Sequence, residues 1–211
     1  MSTMNTEAQS QETKAIDIVL LLPAPIAQSC SDLNSTSDHT DYPRFADGIF
    51  LPHISLYQGY VKTADNEKIA QELQQVRECL AQNPLTLKMA GITYNAKTGF
   101  FFYDLQKTAD YSALKILQYW VHAIMTKYVR GADFVPDAGC FADGNPNQFD
   151  LDYVNSFAQK HSLENYWPHI TLGVSKVENP GPAVMDAFTV QQLGLFVLSR
   201  NGTCAVKARV K

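Results

Sequence analysis

One pentapeptide occurs twice in this chain of 211 residues. Pro52-His53-Ile54-Ser55-Leu56 and Pro168-His169-Ile170-Thr171-Leu172 differ only where Ser is exchanged for Thr, and 116 residues separate the two histidines. Aromatic or apolar residues precede both copies, Phe50-Leu51 in the first and Tyr166-Trp167 in the second. Each copy opens a stretch rich in strand formers. A decorated strand repeated at this distance points to two related halves that each contribute the same strand.

Side chains alternate between the two faces of a strand. In the first copy His53, Ser55 and Tyr57 share one face, and Ile54 and Leu56 the other. In the second, Trp167, His169 and Thr171 share a face opposite Ile170, Leu172 and Val174. The aliphatic faces can pack on helices. If a pseudo-twofold axis relates the halves, the two polar faces line one cleft, with an imidazole and a hydroxyl from each side. An imidazole titrates near neutrality, so one ring can be neutral while the other is charged. The neutral ring then takes a proton from a nucleophile and the charged ring gives one to a leaving oxygen. A hydroxyl two residues on can hold a phosphate oxygen between them. Tyr57 and Trp167, on the same faces by parity, are candidates for stacking on a base.

The rest of the chain reads as mixed strands and helices. Residues 1–14 are polar and read as a disordered tail, leaving 15–211 as a single domain. Ile16 to Leu22 is a strand inside an apolar run interrupted by Asp17 and ended by Pro23 and Pro25. Residues 28–48 are rich in Ser, Asp, Asn and Thr and read as a long loop. Ile49 to Val61 reads as a strand. Ile69, Leu73, Val76 and Leu80 mark one face of a helix over 66–82, stopped by Asn83-Pro84. Leu85–Tyr94 and Gly99–Leu105 form a hairpin. Leu114, Leu117, Val121, Ile124 and Tyr128 stripe a helix over 110–129. A polar loop over 131–147 precedes a short helix at 150–160. Strands follow at 167–174, 188–198 and 204–210, the last two joined by Asn201-Gly202. Several antiparallel hairpins make this α+β rather than a doubly wound parallel sheet.

With these two tetrapeptides, His53-Ile54-Ser55-Leu56 and His169-Ile170-Thr171-Leu172, the chain resembles the 2H phosphoesterase superfamily. That group includes bacterial 2′-5′ RNA ligase-like proteins, cyclic nucleotide phosphodiesterases and 2′,5′-oligoadenylate phosphodiesterases. The resemblance spans about residues 15–210. It implies a bilobed fold in which two antiparallel sheets flank a central cleft with helices outside. It implies that His53 and His169 are the acid and base, that Ser55 and Thr171 bind phosphate, and that no metal takes part. The substrates it implies are 2′,3′-cyclic phosphates or 2′–5′ linkages of nucleotides or RNA ends. Two other readings stay open: a 2′–5′ ligase or RNA-end processing enzyme, and a nucleotide-binding domain without catalysis.

Composition limits the partners. A formal charge of −4 and a pI near 5.7 argue against coating duplex DNA, where a basic surface supplies most of the affinity. No signal-like segment opens the chain and no apolar run is long enough to span a bilayer, so a cytoplasmic monomer is expected. Cys30, Cys79, Cys140 and Cys204 lack CxxC spacing and are expected as free thiols. Asp133, Asp137, Asp143, Asp150 and Asp152 lack the twelve-residue calcium pattern and read as a solvated loop. His39, His122 and His161 have no hydroxyl two residues later and are expected in structural roles. No glycine-rich loop runs from a strand into a helix, so nucleotide binding by that device is not expected; no cofactor is expected.

Overall fold

The computed structural model describes residues 12–36, 42–45, 48–131, 133–175 and 187–210. Residues 1–11, most of the expected tail, and His39 lie outside the described residues, whereas Thr13 and Lys14 already belong to the first strand. The elements are β1 (Thr13–Leu21), α1 (Ala24–Thr36), β2 (Phe50–Leu51), β3 (His53–Lys62), α2 (Asn66–Gln82), β4 (Leu85–Tyr94), β5 (Phe100–Leu105), α3 (Ala109–Met125), α4 (Gln148–Lys160), β6 (His169–Val174), β7 (Ala187–Val190), β8 (Leu193–Ser199) and β9 (Thr203–Arg209). Among the described residues no helix is long and apolar enough to cross a membrane.

Two antiparallel sheets result. One runs β2-β9-β8-β1-β3 and the other β6-β5-β4-β7. The repeated motif strands, β3 and β6, are edge strands of different sheets. In the first sheet Leu51 pairs with Cys204 on β9, while His53 already pairs with Leu21 on β1. Only Pro52 lies between them, so the two ends of this sheet meet and it curls into a half-barrel. β1 alternates accordingly: Ile16, Ile18 and Leu20 enter the main core, and Ala15 and Val19 enter a second cluster with Phe196, Leu198 and Cys204. Asp17, on the Ala15–Val19 face, is wholly buried.

The expected elements are largely present, with one clear correction. The polar stretch 28–48 is not all loop, because α1 occupies its first part. Ile26, Cys30 and Leu33 recur at helical spacing and are buried. Pro25 sits in the first turn, where its missing N–H costs nothing. The polar side chains that suggest a loop are the solvated face of that helix. Smaller differences follow from prolines and turns: Pro52 splits the second strand, and 188–198 divides into β7 and β8. The β8–β9 turn has Asn201 at φ 60 and Gly202 at φ 67, the left-handed pair that a tight hairpin requires.

Both motif strands also carry a β-bulge at the same place. Across β1–β3, Val19 pairs with Ser55 and Ile18 with Tyr57, leaving Leu56 unopposed. Across β5–β6, Phe102 pairs with Thr171 and Phe101 with Gly173, leaving Leu172 unopposed. A bulge leaves main-chain groups off the ladder, and a buried carbonyl needs a donor. Each bulge finds one in a buried carboxamide from a helix. Gln118 Nε2 of α3 donates to the Leu56 carbonyl at 3.3 Å, and Asn34 Nδ2 of α1 to the Leu172 carbonyl at 2.8 Å. The halves therefore share strand, bulge and cap.

Candidate active site

His53, Ser55, His169 and Thr171 line one cavity of about 350 Å³ between the motif strands. The structure thus brings all four together. Trp167 joins them just ahead of β6, 46% exposed at the rim, its ring 4.5 Å from that of His169 and 5.2 Å from Phe102. Tyr57 does not join them. The bulge at Leu56 shifts the alternation by one residue, so Tyr57 turns into the core against His122 and Phe157. It has no exposed surface. Gln58 takes the cavity-facing place that simple parity gives to Tyr57.

The two imidazoles are held alike. His53 Nδ1 lies 2.7 Å from the Leu51 carbonyl and His169 Nδ1 lies 2.9 Å from the Trp167 carbonyl. A carbonyl can only accept, so each Nδ1 must bear the hydrogen and Nε2 is left for chemistry. In both copies the acceptor belongs to the residue before the proline. A following proline confines that residue to extended backbone. This is the physical work of Pro52 and Pro168: they fix the carbonyl that fixes the ring.

Their surroundings differ. His53 Nε2 lies 3.5 Å from Asp17 Oδ2 and 3.8 Å from Cys204 Sγ. Burial opposes its charge, Cys204 and Asp17 favour it, and the balance holds His53 well above the ordinary imidazole value. Burial pushes the Cys204 thiol up as well. His169 is displaced the other way. Burial lowers it first; the Trp167 carbonyl and Asp104 pull it up, and His53 and His161 add to the lowering. Phe102 packs edge-on against the ring at 4.9 Å, which keeps that side apolar.

The wall beyond the histidines is aromatic: Phe100, Phe102, Phe149, Tyr153 and Trp167. His161, expected in a structural role, also lines the cavity, stacked on Tyr153 at 4.3 Å. Of the polar groups nearest His53, Asp17 and Gln58 were not expected from the motifs. The interruption of an apolar strand by Asp17 was the available signal for the first; nothing in the sequence marked the second. Three of the acidic residues serve turns and caps, and Asp150, expected in a solvated loop, is instead buried in α4 and lines the cavity. Asp150 caps α4 with Asn147 and also accepts from the Asn201 N–H, Asp143 accepts from Arg200 N–H, and Asp137 from Gly139 N–H. Among the described residues, Asp17, His53 and Cys204 are the one set whose oxygen, nitrogen and sulfur atoms lie within 4.8 Å of one another, the place where a cation could be held. The four cysteines are free.

No protein-family model and no curated protein matches the chain. Solved structures do. E. coli LigT complexed with NADP+ superposes with a TM-score of 0.56 at 16% identity, covering 95% of this chain and 96% of its own. A structure described as a phosphoesterase gives 0.53 at 15%, covering 94% and 96%. TT0787 of Thermus thermophilus gives 0.54 at 12%, covering 93% and 95%. The chain shares the fold of these three structures. Identities this low speak for the fold alone. Within that shared fold, the paired histidines of this chain and their environment must argue for themselves.

Proposed function

We propose that this chain is a phosphodiesterase that opens a 2′,3′-cyclic phosphate, or cleaves a 2′–5′ phosphodiester, of a small nucleotide or an RNA end. The observation that carries this is the pair of imidazoles on facing edge strands, each tethered through Nδ1 and differing in its preference for charge. His169, favoured neutral, takes a proton from water through Nε2 as the water oxygen bonds to phosphorus. His53, favoured charged, gives its Nε2 proton to the departing ribose oxygen as that P–O bond breaks. Thr171 faces the phosphorus between them. The reaction is acid–base chemistry without a required metal or cofactor.

Size and lining support a small substrate. About 350 Å³ lies at the lower end of the range for small-molecule sites, enough for a mononucleotide. Trp167, Phe149 and Phe102 offer faces and edges to a base. E. coli LigT, which shares the fold, has been crystallised with phosphate and with 3′-AMP. The acidic chain gives a long polyanion little to hold, and a monomer acting in the cytoplasm fits this reading.

The test is turnover of a panel of 2′,3′-cyclic nucleotides, a 2′–5′ dinucleotide and a 3′–5′ dinucleotide, with EDTA present. His53→Ala and His169→Ala should each lose about 10²–10⁴-fold in rate while keeping the fold. Full activity in either variant overturns the assignment. Tight binding of a cyclic nucleotide without turnover identifies a binding domain instead. Joining of RNA ends identifies a ligase.

A further inference from the structure

The two halves match in strand, bulge and tether, and the register shows where they part. β1 flanks β3 as β5 flanks β6. Val19 pairs with Ser55 as Phe102 pairs with Thr171, and Ile18 with Tyr57 as Phe101 with Gly173. One step on, Asp17 pairs with Gln58 as Phe100 pairs with Val174. Asp17 and Phe100 therefore hold the same position in the two halves. One half puts a buried carboxylate beneath its histidine and hydroxyl; the other puts a phenyl ring.

The carboxylate has a specific effect. Ser55 Oγ donates to Asp17 Oδ2 at 2.7 Å, and Gln58 Nε2 donates to the same oxygen at 2.8 Å. Gln58 Nε2 also lies 3.3 Å from Ser55 Oγ as a donor. A hydroxyl has one hydrogen. That of Ser55 is spent on Asp17, so only lone pairs face the cavity, and lone pairs repel a phosphate oxygen. The Thr171 side chain makes no hydrogen bond among the described residues, so its hydroxyl hydrogen is available to the cavity.

On the phosphodiesterase reading above, we propose that Asp17 is a positioning residue that divides the labour of the two motifs. It reserves the Ser55 hydroxyl and faces His53 Nε2 at 3.5 Å, so Thr171 alone of the two hydroxyls grips the phosphate. Ser55 is then a support for Asp17 rather than a phosphate ligand, which revises what the repeat implies. The groups facing His53 are Asp17 from β1, Cys204 from β9, His169 from β6 and, on its own strand, Ser55 and Gln58. Tyr153 from α4 and Tyr166, just before β6, face Asp17; both are kept neutral by burial. Asp17 is the one carboxyl group in this set, and its Oδ2 lies 3.5 Å from His53 Nε2.

The test uses the full chain with labelled histidines, followed by NMR through pH. In Asp17→Asn the His53 resonance should titrate at lower pH than in the parent, while that of His169 does not move to lower pH. The alkaline limb of kcat/KM should fall with it. Separately, inorganic phosphate is titrated into Thr171→Ala and Ser55→Ala. Thr171→Ala should weaken its binding by about tenfold, and Ser55→Ala by much less. An unmoved His53 in Asp17→Asn, or equal losses in the two hydroxyl variants, overturns the proposal. If Asp17→Asn does not fold, the hydroxyl pair decides alone. The NMR and phosphate arms need no turnover. A chain inactive on every phosphodiester that still shows the His53 shift loses the phosphodiesterase reading and keeps the role of Asp17.

Discussion

A histidine held through Nδ1 by its own backbone has one nitrogen left to work with, and in this protein that is true twice. The consequence can be measured as a pH profile. On the proposed mechanism His169 must be neutral to accept, so activity should rise with pH as it loses its proton, below the ordinary imidazole range. His53 must be charged to donate, so activity falls as it loses its proton, above that range. The rate should therefore trace a bell whose limbs lie on either side of the ordinary imidazole value. A single limb, or a flat profile, counts against the pair. Because the two rings feel one another, the limbs belong to the pair until NMR assigns them. Chelation adds a second test at this scale. Activity should survive EDTA. Loss on chelation with recovery on adding Zn²⁺ would turn Asp17, His53 and Cys204 from proton chemistry to metal binding. The histidines and Thr171 were legible because a repeat announces itself. Asp17 was visible only as an interruption of an apolar strand, and its partners come from β3 and β9, which no local pattern brings together.

The bulges at Leu56 and Leu172 decide which residues after the motif see the cavity. Alternation is a reliable guide along β3 only as far as Ser55. Past the bulge it fails, which is why Tyr57 reads as a stacking residue in the sequence and is a core residue in the fold. Variants separate the two. Tyr57→Phe removes a buried hydroxyl that has no partner among the described residues, so stability and KM should hardly change. Trp167→Ala, by contrast, should raise KM while leaving stability near that of the parent. A rise in KM for Tyr57→Phe would put that ring back in the cleft. Helix α1 shows the complementary lesson. Its buried stripe is only Ile26, Cys30 and Leu33, too short to stand out among Ser, Asp and Asn. Its Asn34 reaches the Leu172 carbonyl, a contact across the chain that composition cannot foretell. Gln118 does the same for Leu56. Gln118→Leu should cost about 1–3 kcal/mol in chemical denaturation, since it strands a buried carbonyl.

At the scale of the molecule, the α+β class, the antiparallel sheets and the cleft between related halves follow from the repeat and the hairpins. The curl of the first sheet does not, because it depends on β9 closing on β2 from the far end of the chain. What joins the halves at the cleft is also nonlocal. Tyr166, beside the second motif, donates to the Ser55 carbonyl in the first at 3.0 Å. Tyr166→Phe keeps the ring and drops this bond. It should lower stability by about 1 kcal/mol and reduce kcat more than it raises KM, because the spacing of the imidazoles is what it loosens. Unchanged kcat would show that packing alone sets the spacing.

The tethers on Nδ1 also fix the proton inventory of a turnover. Each ring can exchange one proton, at Nε2, and the proposed hydrolysis would move one onto His169 and one off His53. On that reading the protein ends each cycle as the electrostatic mirror of its starting state, with the charge on the wrong side of the cleft. Asp17 makes that product state the less stable of the two, and relaxation through solvent returns the charge to His53. Product departure and recharging are coupled in such a cycle, and a proton-carrying buffer should speed the steady state where it leaves the first turnover untouched.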